Sequence, residues 1–232
     1  MVGNGMLSLL SDDASLNSLQ SLRGKKIEVA GQGATPDYVF RRLLQNAGLD
    51  PQKDVELGYS MAYPEMAQAL IAGRVSIALL PEPFATMARM GRKTLVDLID
   101  VQKEWAASGG SATYPMTVLV VDSRFAKEHP LALKAIMDAY RSSVEWTKKM
   151  PKEAGLLVEK YELGLKSPIA TAAIPKSAYV FIDAIEARPS LEALFPIPSI
   201  CASFHRRQAT LFFVLPRTLV RVRELECAIK AF

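Results

Sequence analysis

Residues 26–48 read KIEVAGQGATPDYVFRRLLQNAG, and this stretch decides the fold. Ile27 and Val29 alternate with Glu28, the two-residue period of a strand. Gly31 and Gly33 follow at the point where the chain must turn and a Cβ would obstruct it. Thr35 is a suitable helix cap. Pro36 suits the first helical position, since its missing N–H would be unpaired there in any case. Val39, Phe40, Leu43, Leu44 and Ala47 recur at helical spacing and make one apolar face. Gly48 stops the helix and Asp50-Pro51 reinforces the stop. The product is strand, glycine loop, helix. The helix N-terminus, with its free N–H groups and positive dipole end, is a ready receptor for an anion or a polar ligand edge.

Downstream the same grammar repeats. Residues 55–59 alternate as a second strand, and 65–72 carry Met66, Ala69 and Leu70 on one helical face before Gly73. Residues 75–80 are almost continuously apolar, as expected of a parallel strand covered on both faces, and Pro81-Glu82-Pro83 ends them before a helix at 84–90. This β-α-β-α-β order predicts a parallel sheet with right-handed crossovers. Ligands bind beyond the carboxyl ends of such strands, so the loops 31–35, 60–63 and 81–84 should converge on one edge.

Elsewhere, 7–10 is a short apolar segment read as a strand crossing between lobes. Leu16, Leu19 and Leu22 are spaced like a short helix, 95–105 reads as a strand and turn, and 116–121 as a strand returning to the other lobe. Helices are expected at 130–150, 151–162, 167–174 and 186–194, with 180–182 extended. On the first of these Leu131, Ile136, Ala139, Tyr140 and Trp146 lie near one face.

Composition narrows the class. The 232 residues are 50% hydrophobic and 22% charged, a globular balance, and no apolar run reaches membrane-span length. The net charge of +4 lies wholly in residues 196–232, where six basic residues stand against Glu224 and Glu226, so it does not argue for a nucleic-acid partner. Cys201 and Cys227 also lie there, and His129 and His205 are the only histidines. No metal set, cofactor motif or Ser-His-Asp constellation can be assembled. The opening MVGNGMLSLLSDDAS lacks the basic start of a secretory signal.

The segments LRGKKIEVAGQGATPDYVFRRLLQNAGLDPQKDVEL (22–57) and PEMAQALIAGRVSIALLPEPFATMA (64–88), with KEHPLALKAIMDAYRSSVEW (127–146) and IPKSAYVFIDAIEARPSLEAL (174–194), resemble solute-binding proteins of ABC importers for nitrate, sulfonate, taurine and thiamine-precursor pyrimidines. The resemblance implies an α/β fold of the periplasmic binding protein type II kind. It has two lobes, one complete (12–112) and one partial (1–11 with 113–195). It implies capture of a small solute, an anion, sulfonate or small heterocycle, by lobe closure and delivery to an ABC permease, with no enzymatic chemistry. It further implies an extracytoplasmic location, periplasmic or lipid-anchored. In the resembled family a leader and further elements of the second lobe precede the equivalent of Leu7, so a shortened N-terminus is expected, with self-association through the incomplete lobe. Two alternatives stay open: a non-functional fragment of such a protein, and a thiamine-pyrimidine synthase-like enzyme, which would need a histidine or cysteine set.

The residues expected to line the ligand cleft are Gln32, Gly33, Thr35, Tyr63, Glu82 and Tyr114. Glu82, held between two prolines at the sheet edge, is either a ligand or lobe-closure contact or a solvated turn acid. Tyr63 and Tyr114 supply ring faces and hydroxyls, or serve as ordinary packing. Arg41-Arg42 reads as a solvated helix face. Beyond LEAL (191–194) the family's pattern vanishes, and permitted codons for 195–210, read one base along, spell FLSLRFAPASIGGKLP, close to the family's ending PASIGGKLPDD. Residues 196–232 are therefore expected to be an out-of-frame tail with few tertiary contacts.

Overall fold

The computed structural model describes residues 1–109 and 112–194 and the short segments 212–214 and 219–221. Its main sheet has five strands: β2 (Leu7–Ser11), β3 (Lys26–Val29), β4 (Glu56–Gly58), β5 (Ile77–Pro81) and β6 (Val96–Asp97), in the order β4-β3-β5-β2-β6. As expected, β3 runs parallel to both β4 and β5. The strand β2 is antiparallel to β5 and β6, pairing Leu7 with Pro81 and Leu10 with Asp97.

Alternation along these strands builds two cores. Leu9, Ile27, Val29, Ile77 and Leu79 face α1 (Thr35–Asn46), where Val39, Phe40, Leu43 and Leu44 are buried. Leu10, Ala78 and Leu80 face the other way, onto Met66 and Leu70 of α2 (Tyr63–Ile71) and Ala85 and Ala88 of α3 (Phe84–Gly91). Each such leucine or phenylalanine contributes about 1.5–3 kcal/mol by leaving water. Leu16, Leu19 and Leu22 join the first core, but only Gln20–Leu22 is helical, as a single 3-10 turn.

Two boundaries move. Leu7–Ser11 is an interior strand of the first lobe, not part of the second, because alternation buries Leu9 in one core and Leu10 in the other. The lobe therefore begins near Leu7 rather than Asp12. The stretch 95–105, read as a strand and turn, is two residues of β6 followed by α4 (Val101–Ala107), whose cap Asp100 accepts the Lys103 N–H at 3.0 Å.

In the second lobe β1 (Gly3–Asn4) pairs antiparallel with β7 (Pro115–Thr117), and Tyr179 bridges to Gly3. The expected strand to Val121 stops at Thr117, and Leu119 and Val120 are exposed. Helices α5 (Ser123–Glu128), α6 (Pro130–Lys149), α7 (Pro151–Lys160), α8 (Ser167–Ala173) and α9 (Ala184–Leu194) complete it. Helices α7 and α8 pack closely because Gly155 has no side chain: a Cβ there would lie 3.0 Å from Ser167 O. Of the twenty residues of α6 only Leu133 is buried, and Leu131 is 83% exposed. One lobe is complete and the other partial.

The frameshift reading falls mostly on residues outside those described. The two described segments there, β8 (Phe212–Val214) and β9 (Leu219–Arg221), pair antiparallel, and β8 lies against α9.

Candidate functional site at the carboxyl edge of the sheet

Three βα loops meet at the carboxyl ends of β3, β4 and β5. Gly31 (φ +75°) and Gly33 (φ +74°) give the first loop a left-handed backbone closed to most side chains. A Cβ on Gly31 would lie 3.9 Å from the Tyr63 hydroxyl, so the second loop comes up close beside the first. The Tyr63 ring stacks on Phe84, centroids 5.6 Å apart, which ties in the third. Burial raises the Tyr63 hydroxyl's pKa, keeping it a neutral donor and acceptor.

Thr35 is the first residue of α1, not its cap. Ala34 occupies the cap position with extended backbone and no side-chain bond. The capping function falls to Asp37, whose Oδ2 accepts the Gly33 N–H at 2.9 Å. The other carboxylate oxygen takes Arg41 Nε at 2.6 Å and the Tyr59 hydroxyl at 2.6 Å. Arg41 is thus half-buried and paired, while Arg42 alone fits the solvated-face reading. Ala34 N–H donates to Gly31 O at 2.8 Å, and Pro36 has no N–H. The anion receptor expected from the sequence is therefore partly filled by the helix's own carboxylate. Gln32 is exposed at the loop tip, and Gly33 and Thr35 are half-buried beside it.

Glu82 is buried, 7% exposed, which corrects the solvated-turn reading. Its Oε2 accepts the Thr86 N–H at 3.0 Å, and its Oε1 pairs with Arg89 Nη1 at 3.1 Å. Arg89 also reaches Ser8 Oγ at 2.6 Å and Asp97 Oδ1 at 2.7 Å. Burial opposes the guanidinium charge, but the bonds and charges of Asp97 and Glu82 outweigh it and raise the pKa of Arg89. Glu82 thus faces inward and positions Arg89. Tyr114 is likewise a core residue: its hydroxyl accepts the Leu7 N–H at 3.3 Å and its ring meets Trp105 edge-on at 5.5 Å. A hollow of about 680 Å³ lies beside them, where Ser8, Arg89, Asp97 and Gln102 of the first lobe, with Tyr114 packed in its core, meet Lys176 of the second.

Sequence reading missed Asp37 with Tyr59, and Arg89 with Asp97 and Ser8. The first had a local signal, an acid and a base four apart in a first helical turn. Arg89 lies seven residues beyond Glu82 and eight before Asp97, but Ser8 is 81 residues away in sequence and only the sheet brings it in.

A model of the NMT1-like family matches residues 4–158, two thirds of the chain and all of the edge just described. The chain belongs to the NMT1-like family. No curated protein matches it in sequence. Among solved structures, this NMT1-like chain is similar to an ABC transporter protein from Parabacteroides distasonis (21% identity, TM-score 0.60, 89% of this chain and 66% of that one). It is also similar to the periplasmic aliphatic sulphonate binding protein SsuA from Escherichia coli (13%, 0.64, 89% and 63%) and to the desulfurization enzyme DszB (14%, 0.53, 89% and 78%). At these identities the shared property is the fold, which carries both binding proteins and an enzyme. The NMT1-like chain spans about two thirds of the length of the first two. No described helix is long and apolar enough to cross a membrane, and the described residues contain no group of three metal-ligating side chains.

Proposed function

We propose that this protein is the solute-binding component of an ABC importer and captures a small solute at the carboxyl edge of its five-stranded sheet. The observation that carries the reading is the meeting of three βα loops there, through Gly31, Tyr63 and Phe84, beside a second lobe joined to the first at β1–β2 and again at Tyr114–Pro115. Ligand contacts to both lobes would drive closure. Gln32, Gly33, Thr35 and Tyr63 contact the solute directly, while Glu82 acts through Arg89, and Tyr114 supports the wall. Delivery to a membrane permease and an extracytoplasmic location follow from the same reading.

Asp37 bears on solute class. A buried carboxylate at the helix N-terminus competes with an anion for the same amides, which supports a neutral heterocycle over nitrate or a sulfonate. The test is a thermal-shift screen of pyrimidines, alkylsulfonates and nitrate against the wild type and Thr35→Leu. A pyrimidine should raise the wild-type Tm in a concentration-dependent way, and Thr35→Leu should lose affinity by more than it loses stability. No shift with any solute, or equal affinity in the variant, would move the function or the site elsewhere.

A further inference from the structure

A second, unrelated feature lies under α2. Glu28 stands in the middle of β3 on the face opposite Ile27 and Val29, and is only 5% exposed. Its Oε2 is buried and has no hydrogen-bond partner. An ionised carboxylate taken out of water without a partner is costly, so such a group marks a place where a partner belongs. The neighbouring strands are shaped around it. In the sheet register Glu28 is flanked by Gly58 of β4 and Ala78 of β5, two of the smallest residues available. A Cβ on Gly58 would lie 2.6 Å from the Glu28 carboxylate carbon, so the notch exists only because position 58 is glycine.

The carboxylate opens into a groove of about 830 Å³ between α2 and the sheet. Met61, Pro64, Ala69 and Val75 give it apolar walls, and Lys26, Glu65, Gln68, Arg74 and Ser76 line the rest. The nearest cation on the same strand, Lys26, is exposed and pairs across the ladder with Glu56 at 2.9 Å. With no cluster of three ligating groups among the described residues, the Glu28 carboxylate does not make a metal site. It fits instead a planar or tetrahedral nitrogen cation on a short apolar stem.

We propose that Glu28, in the notch formed by Gly58 and Ala78, binds a small organic cation, a primary amine, amidinium or guanidinium, in the groove under α2. The groove meets the carboxyl edge at Met61 of the second loop, but none of Gln32, Gly33, Thr35 and Tyr63 lines it, and the inference does not rest on the solute-binding reading. The full chain would be titrated with benzamidine, agmatine and butylamine by calorimetry, with Mg²⁺ and Ca²⁺ as controls. At least one organic cation should bind saturably, and Glu28→Gln should weaken it at least about tenfold while leaving the Tm equal or higher. Gly58→Ala should weaken it too, by crowding the carboxylate. Should Glu28→Gln fail to fold, the ¹³C resonance of the Glu28 carboxyl in the wild type supplies the reading, and it should move with the same saturation curve. Absence of saturable binding by all three cations, equal affinity in Glu28→Gln, an unmoved carboxyl resonance, or binding of the divalent metals alone would overturn the proposal.

Discussion

Asp37 Oδ2 accepts the Gly33 N–H at 2.9 Å, so the helix that follows the glycine loop is capped by its own third residue. The same carboxylate holds Arg41 and Tyr59, and one acid therefore fixes the loop, the helix and the end of β4 together. Replacing it tests both its structural weight and its effect on anions. Asp37→Asn should lower stability by about 2 kcal/mol, since Arg41 keeps partial access to water. It should also let methanesulfonate or sulfate raise the Tm more than in the wild type, because the competing charge is gone. Chemical denaturation with and without the anion reads both, and an unchanged anion response would show that the loop amides do not meet the solute.

The Arg89 network predicts a sharp distinction between basic residues. Arg89→Met leaves the buried Glu82 unpaired and should cost about 3 kcal/mol. Arg89→Lys should recover little of it, because a single ammonium cannot serve Glu82, Ser8 and Asp97 at once. Equal denaturation midpoints for Arg89→Lys and the wild type would show that the fork geometry is not what matters.

Stability should fall at alkaline pH. Burial first, and for Tyr59 also the Asp37 carboxylate, raises the hydroxyl pKa values of Tyr59, Tyr63 and Tyr114. The unfolded chain then loses these protons before the folded one does. Their contribution is complete below about pH 10 and declines as pH climbs from there towards the folded values. Phenolate absorbance should show these three hydroxyls titrating late, together with a falling Tm. Seven tyrosines titrating together in the folded protein would contradict the burial assigned here.

The exposed apolar side chains of α6 should drive self-association. Leu131 and Ile136 project from a helix with a single buried residue. Sedimentation velocity should show concentration-dependent association that is reduced in Leu131→Glu and Ile136→Glu, substitutions that cost within about 0.5 kcal/mol at exposed positions. A wild type that remains monomeric at every concentration would remove this face as an interface.

How much of this was legible in the chain follows from the range of each interaction. The strand at Lys26–Val29, the turn at Gly31 and Gly33, and the helix through Phe40 and Leu44 are written in spacings of two and of three to four residues, and they formed as read. So did the parallel pairing of β3, β4 and β5, because βαβ order leaves few other topologies. The placement of Leu7–Ser11 was not legible: a short leucine-rich strand can join either lobe, and only its pairing with β5 and β6 assigns it. Side-chain direction was not legible either. Glu82 and Tyr114 sit in segments that look solvent-facing, yet Arg89 and Leu7, brought in by the fold, turn both inward. Glu28 is legible in the sequence only as the residue alternating with Ile27 and Val29. It is buried because α2 lies over it and because its cross-strand neighbours, Gly58 and Ala78, are too small to fill the space, a relation between residues 28, 58 and 78 that no local pattern records.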